Sequence, residues 1–93
     1  MKTQGLAPQL AGLQPPTTVS AAVEQLCLIL SDADKLALAA KSEDQLVDYH
    51  LSLGLAIRNA WLYTPENQLL QDCGVRHPDD ASAVIIHALW KNL

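Results

Sequence analysis

The longest helix that the sequence predicts spans residues 43–63, and apolar side chains surround it on almost every side. One stripe at helical spacing consists of Leu46, His50, Leu53, Ile57, Ala60 and Trp61. A second stripe consists of Val47, Leu51, Leu55 and Leu62. A helix that is apolar all round is normally enclosed by others, so this one is predicted to be central. Gly54 costs about 1 kcal/mol there relative to alanine, and we expect a neighbouring helix to cross closely at that point.

Four further helices are predicted around it, at residues 18–30, 32–40, 65–72 and 78–92. Their start signals are Thr17, Thr18 or Ser20, then Ser31, then Thr64 before Pro65, then Pro78; Ser42 with Gln45 forms a capping box for the central helix. The second helix is expected to face inward through Leu36 and Ala39 or Ala40. No segment alternates as a strand would. The sequence therefore predicts an all-α domain, a compact bundle of about five helices, over residues 17–93.

Residues 1–16 are predicted to form a flexible N-terminal arm. Leu6, Leu10 and Leu13 are helically spaced, but the glycines and prolines among them argue against a stable helix. Two alternatives remain open for this arm. It is either a disordered tail, or its three leucines dock on this domain or on a partner.

Charge and composition exclude several classes of partner. The net charge is −4 and the 6 basic residues are scattered, which disfavours binding to nucleic acid or to an anionic membrane surface. The apolar runs are too short to span a bilayer or to form a signal peptide, so a cytoplasmic location is expected. Cys27 and Cys73 are expected to be reduced, with a single disulfide left open.

The most concentrated polar residues lie at the end of the central helix and the start of the last one. Arg58, if buried, needs acceptors, because an unpaired buried charge costs several kcal/mol. Our main interpretation is a structural polar network in which Arg58 ties the central helix to the aspartates of the last helix. Asn59 would cap or cross-link loop carbonyls. The members of this network are Arg58, Asn59, His77, Asp79 and Asp80.

The alternative for the same residues is a metal-dependent or acid–base site built on His77, Asp79 and Asp80, with His50 as a further candidate. Adjacent aspartates on a helix point about 100° apart and do not easily share one ion. Cys73 and His77 have a C-x-x-x-H spacing, but no second ligand pair accompanies them. No serine or cysteine has the surroundings of a nucleophile. The sequence therefore predicts no catalytic residue, no metal and no cofactor.

The last helix carries a second apolar face in addition to its core face. The core face is Ala81, Val84, Ile85, Ala88 and Leu89, and the second face is Ile86, Trp90 and Leu93. If exposed, the second face is an anchor for a partner or a second copy of the chain, because aromatic residues dominate interface hot spots. Candidate partner-binding residues are thus Ile86, Trp90, Leu93, Leu6, Leu10 and Leu13.

The run HLSLGLAIRNAWLY, followed after a spacer by HPDDASAVIIHALWKNL, resembles a family of small uncharacterised bacterial domains with the pattern I-R-N-x-W … H-P-D-D-x-S. The resemblance covers residues 42–93 and, more loosely, TTVSAAVEQLCLILSDADK. The positions that carry it are Gly54, Ile57, Arg58, Asn59, Trp61, His77, Pro78, Asp79, Asp80, Ser82 and Trp90. Ala60 and Tyr63 depart from it. The resemblance implies a compact domain of bacterial or phage origin and supplies no catalytic residue.

These observations favour a non-enzymatic protein–protein interaction module. Its partner is expected to be another protein, and a homodimer is included in that hypothesis. A sharper form is an inhibitor or immunity-type protein, because the chain is small and acidic and shows no reactive centre. The competing hypothesis is the enzyme or metal-dependent site at His77, Asp79 and Asp80.

Overall fold

A computed structural model describes Leu10, residues 14–64 and residues 67–93. Within these ranges the chain is helical and has no strand, so the all-α prediction is confirmed. The helices are α1 (Val19–Ile29), α2 (Asp32–Ala39), a 3₁₀ helix (Glu43–Tyr49), α3 (Leu53–Ile57), a π-helical segment (Arg58–Leu62), α4 (Gln68–Asp72) and α5 (Pro78–Lys91). None of the helices described is both long and apolar enough to cross a bilayer.

Local capping signals fix where several helices begin. The hydroxyl of Thr18 accepts a hydrogen bond from the Ala21 amide, and that of Ser31 accepts one from Asp34, each at 3.1 Å. The Gln45 side chain accepts from the Ser42 amide at 2.9 Å, as the capping box predicts. These three bonds satisfy amides that the first turn of a helix leaves without an intrahelical partner.

The prediction of one continuous helix over residues 43–63 is wrong. The chain leaves helical geometry at Ser52, with φ −111° and ψ −91°, between the 3₁₀ helix and α3. The Ser52 amide bonds back to the Tyr49 carbonyl at 3.3 Å, which closes a tight turn. The turn buries Tyr49 and releases the His50 carbonyl from the helical hydrogen-bond pattern, so that it can accept from a side chain.

The break also changes which apolar residues are buried. In the second predicted stripe only Leu62 is buried; Val47, Leu51 and Leu55 are 71%, 78% and 42% exposed. Helix α2 is likewise rotated from the prediction, since Leu38 is buried and Leu36 is 71% exposed. Helical periodicity alone did not identify the inward face, because short helices and a 3₁₀ segment rotate the side chains away from α-helical positions.

Helix α4 begins later than predicted. Its N-cap is Asn67, whose side-chain oxygen accepts from the Leu70 amide at 2.8 Å. The Asn67 amide group also donates to the Trp61 carbonyl and to the Thr64 hydroxyl. Pro65, the predicted first helical residue, lies outside the described residues. Gly74 ends this region with φ +74°, the left-handed conformation that glycine commonly adopts just after a helix.

The core lies between α5 and the other helices. Its fully buried large side chains include Leu26, Leu38, Leu53, Ile57, Trp61, Leu69, Ile85 and Leu89. Ile86, which was predicted for an outer face of the last helix, is only 3% exposed and belongs to this core. Leu10 is fully buried in the same core, whereas Leu6, Leu13 and most of the predicted arm lie outside the described residues.

Candidate functional site: a pocket beside a buried arginine

Arg58 lies at the centre of the polar interior and is only 3% exposed. Its Nε is 3.2 Å from a carboxylate oxygen of Asp79, at the start of α5. Its Nη1 donates to the Ser82 hydroxyl at 3.0 Å, and its Nη2 donates to the His50 carbonyl at 3.1 Å. The planar guanidinium therefore joins α5 to the turn that precedes α3, with each nitrogen directed at an acceptor.

The structure brings together two of the five residues in the predicted polar network. Arg58 and Asp79 are in contact, whereas Asn59, His77 and Asp80 are exposed and none of the hydrogen bonds or ion pairs of the Arg58 side chain goes to them. Successive helical residues point in different directions, so only one of the two adjacent aspartates turns back toward the guanidinium. The guanidinium also donates to Ser82 and to the His50 carbonyl, and His50 Nδ1 lies 3.5 Å from Arg58 Nη1. No short sequence motif indicates the carbonyl.

Gly54 makes room for the guanidinium. A Cβ at this position would lie 3.0 Å from Arg58 Nη1 and 3.3 Å from the Tyr49 carbonyl oxygen. The Cδ1 atom of Ile86 would be 3.6 Å away, so α5 does approach this glycine, as predicted. The closest atom, however, belongs to the arginine one turn further along the same helical stretch.

A pocket of about 240 Å³ opens next to this cluster, between the 3₁₀ helix and α5. Its lining is mostly apolar, and its eight residues are Glu43, Leu46, Val47, His50, Ser82, Ala83, Ile86 and His87. Glu43, Leu46, Val47 and His50 come from the 3₁₀ helix and the residue after it. Ser82, Ala83, Ile86 and His87 are spaced i, i+1, i+4, i+5, which places them on one side of α5. The pocket therefore lies where the 3₁₀ helix and α5 face each other.

Two contacts hold the 3₁₀ helix against α5. His87 Nε2 lies 3.1 Å from a Glu43 carboxylate oxygen at the edge of the pocket. The Trp90 indole donates to the Lys41 carbonyl at 2.9 Å, and its ring centroid lies 5.8 Å from that of His87. Trp90 is accordingly half-buried, while Leu93 at the end of the chain is 40% exposed. Of these two predicted partner-binding residues, Leu93 is the more accessible.

Tyr49 lies at the end of the 3₁₀ helix and is 6% exposed. Burial raises the pKa of its hydroxyl, and the carboxylates of Asp34 and Asp48 raise it further by repelling a phenolate. The hydroxyl thus stays protonated well above neutral pH. This end of the 3₁₀ helix is consequently a neutral aromatic ring with acidic groups around it.

The hydroxyl of Ser82 is occupied by other bonds. It accepts from Arg58 and donates to the Asp79 carbonyl at 2.9 Å, so it is not aligned with a histidine as an activated serine would be. Among the residues that the structure describes, no three His, Cys, Asp or Glu side chains lie close enough to hold a metal ion. Asp79, the central member of the alternative site, is in contact with Arg58.

Both cysteines are free thiols, and Cys73 has an unusual environment. Burial raises the pKa of its thiol to about 11, with a smaller contribution from the Asp72 carboxylate. At pH 8 the thiolate fraction is about a hundredfold smaller than that of a thiol with pKa 9. A more basic thiolate is a better nucleophile, which recovers about tenfold in rate.

We therefore expect Cys73 to be alkylated by iodoacetamide about tenfold more slowly than a free cysteine peptide at pH 8. The rate should keep rising up to about pH 11 in the Cys27→Ser variant, where Cys73 is the remaining thiol. Mass spectrometry of timed samples measures it. A rate profile that levels off near pH 9 would contradict this environment.

The fold and the pocket together define a small all-α domain with a buried arginine cluster and an apolar pocket beside it. The chain belongs to a family described as Domain of unknown function (DUF6794), whose model matches residues 15–93. No match was found among curated proteins or among solved structures.

Proposed function

We propose that this chain is a non-enzymatic protein-binding module whose binding surface is the pocket together with Val47, Leu51 and Leu55. These three exposed apolar residues, named here the 47–55 set, lie within nine consecutive residues. Isolated exposed apolar residues are ordinary, but several close together in the sequence, one of which lines an apolar pocket, are typical of an interaction site. The observation that carries the proposal is that Val47 belongs both to the 47–55 set and to the pocket lining, since it is exposed and also lines the pocket.

The finer form of the proposal is an inhibitor or immunity-type role in the cytoplasm. Such a protein acts by covering the surface of another protein, so it requires a binding face and no reactive group. The free thiols of Cys27 and Cys73 are compatible with a reducing compartment. A homodimer that uses the 47–55 set would be the simplest alternative partner.

The proposal predicts that Leu51→Ser releases a bound partner without weakening the fold. Leu51 is 78% exposed, so its loss should leave the melting temperature nearly unchanged. Removing an apolar contact from an interface should weaken binding by about fivefold to thirtyfold. Affinity capture from the native host, followed by quantitative mass spectrometry, compares the partner retained by each variant.

Leu36→Ser is the matched control, since Leu36 is 71% exposed on α2 and is not part of the pocket lining. The proposal requires a stoichiometric partner that is kept by wild type and by Leu36→Ser and is lost by Leu51→Ser and Val47→Ser. Retention of the same proteins by all four chains would refute it. Sedimentation equilibrium of the same variants shows whether that partner is a second copy.

A further inference from the structure

The charge around the pocket indicates what kind of partner it accepts. The 3₁₀ helix, EDQLVDY, carries Glu43, Asp44 and Asp48, all exposed, and contains no basic residue. The Glu43 carboxylate is 67% exposed at the pocket edge, where it meets His87. An apolar pocket with one carboxylate at its edge and two further exposed carboxylates on the same helix is complementary to a partner that is both apolar and cationic.

The size and lining of the pocket indicate how much of that partner enters. The volume is about 240 Å³, and an apolar cavity of about 150 Å³ already holds benzene. The pocket can therefore take one large apolar side chain. The 47–55 set would then contact further apolar side chains from the same face of the partner.

From these observations we propose that the pocket binds a basic amphipathic helix of another protein. One large apolar side chain of that helix fills the pocket, and a Lys or Arg one turn away pairs with Glu43. This inference rests on the proposed function and specifies the chemistry of its partner. A second copy of this chain fits less well. Its net charge is also −4, and a dimer formed through this surface would place two acidic 3₁₀ helices against each other.

The test uses the full chain and two synthetic peptides of fourteen residues. One peptide has Leu at i, i+3, i+4 and i+7 spacing with Lys at the other positions, and the second has Glu in place of every Lys. Binding is measured by fluorescence anisotropy of labelled peptides. We expect the Leu/Lys peptide to bind at least about tenfold more tightly than the Leu/Glu peptide, because like charges oppose the second.

Two variants locate the binding site. Ala83→Trp places a large side chain in the pocket from an exposed position on α5, and should weaken Leu/Lys binding by at least about tenfold. Glu43→Gln should weaken it by about twofold to fivefold, the range for an exposed ion pair. Glu24→Gln removes one exposed carboxylate from α1 and is the matched control for charge. Circular dichroism verifies that each variant is folded.

The outcomes separate this inference from the proposed function. Equal binding of both peptides, or Leu/Lys binding that is unchanged in Ala83→Trp, overturns the inference. If neither peptide binds while Leu51→Ser still releases a captured protein, the binding-module proposal stands and the basic-helix chemistry is overturned. Self-association that Ala83→Trp abolishes, with no peptide binding, likewise assigns the pocket to a homodimer and overturns the inference.

Discussion

Replacing Arg58 with alanine is expected to lower the free energy of unfolding by about 3 kcal/mol, or the melting temperature by roughly 12–24 °C. The change leaves the part-buried His50 carbonyl without its donor, and it empties the space of a side chain that is 3% exposed. The lost ion pair with Asp79 contributes less to this destabilisation, because the Asp79 side chain is 65% exposed and water can replace the guanidinium as its partner. Urea unfolding followed by far-UV circular dichroism measures the effect.

The two adjacent aspartates provide an internal control. Asp79 and Asp80 both lie in the first turn of α5, where each carboxylate interacts with the helix dipole. Asp79→Asn should cost about 2 kcal/mol because it also leaves the buried guanidinium without a carboxylate partner. Asp80→Asn should cost less than about 1 kcal/mol.

A double-mutant cycle then tests the pairing directly. The combination of Arg58→Ala with Asp79→Asn should show a coupling energy of about 1 kcal/mol or more, while Arg58→Ala with Asp80→Asn should be additive. Equal coupling to both aspartates would contradict the geometry at Asp79. So would an Arg58→Ala loss no larger than that of Asp80→Asn.

Gly54→Leu is expected to destabilise the domain by about 2–3 kcal/mol, although leucine is a better helix former than glycine. The new side chain would occupy the space of the Arg58 guanidinium, which lies 3.0 Å from a Cβ at this position. The guanidinium is held by bonds to Asp79, Ser82 and the His50 carbonyl, so it cannot move aside freely. Thermal and urea unfolding measure the loss.

Gly54→Ala gives the more discriminating measurement. In the wild-type chain the methyl group would press on the guanidinium, and we expect a loss below about 1 kcal/mol. In the Arg58→Ala background that contact is gone and the 3.3 Å approach to the Tyr49 carbonyl oxygen remains, so the same substitution should become neutral or stabilising by less than the full helix-propensity gain of about 1 kcal/mol. If Gly54→Ala stabilises both backgrounds equally, the arginine does not account for the glycine.

The sequence predicts the parts of this fold that depend on local chemistry. Thr18, Ser31 and Ser42 mark helix starts because each side chain or amide takes part in a bond to a residue three positions away. Gly74 marks a helix end because its φ is positive. These signals act over one turn and do not require knowledge of the rest of the chain.

The break at Ser52 could not be predicted in the same way. No proline marks it, and Gly54, two residues later, lies within α3 and not at the break. The break frees the His50 carbonyl, which accepts a hydrogen bond from the side chain of Arg58, eight residues further along the chain. The bond coincides with the break and joins residues eight apart, a separation that helical periodicity does not register. Periodicity therefore predicts Val47 and Leu51 in the core, whereas both are exposed.

The candidate site was predicted in part. An arginine within an apolar stretch indicated a partner among the aspartates of the last helix, and Asp79 is in contact with it. The pocket was missed because its two walls are separated by about forty residues, as the Glu43–His87 contact illustrates. The sequence signal available was the spacing of Ser82, Ala83, Ile86 and His87, which places these pocket residues on one side of α5.

The 3₁₀ helix has a length that matters for the pocket. It contains 7 residues, longer than most such helices, and at about 2.0 Å per residue it extends roughly 14 Å. Rewound as an α-helix it would extend only about 10.5 Å. The chain is anchored on both sides of it, at the Lys41 carbonyl two residues before its start by the indole of Trp90, and at the His50 carbonyl just after its end by the guanidinium of Arg58. These two anchors hold the ends of the segment beside α5, and their separation therefore sets the length of the wall that the proposed partner helix would contact.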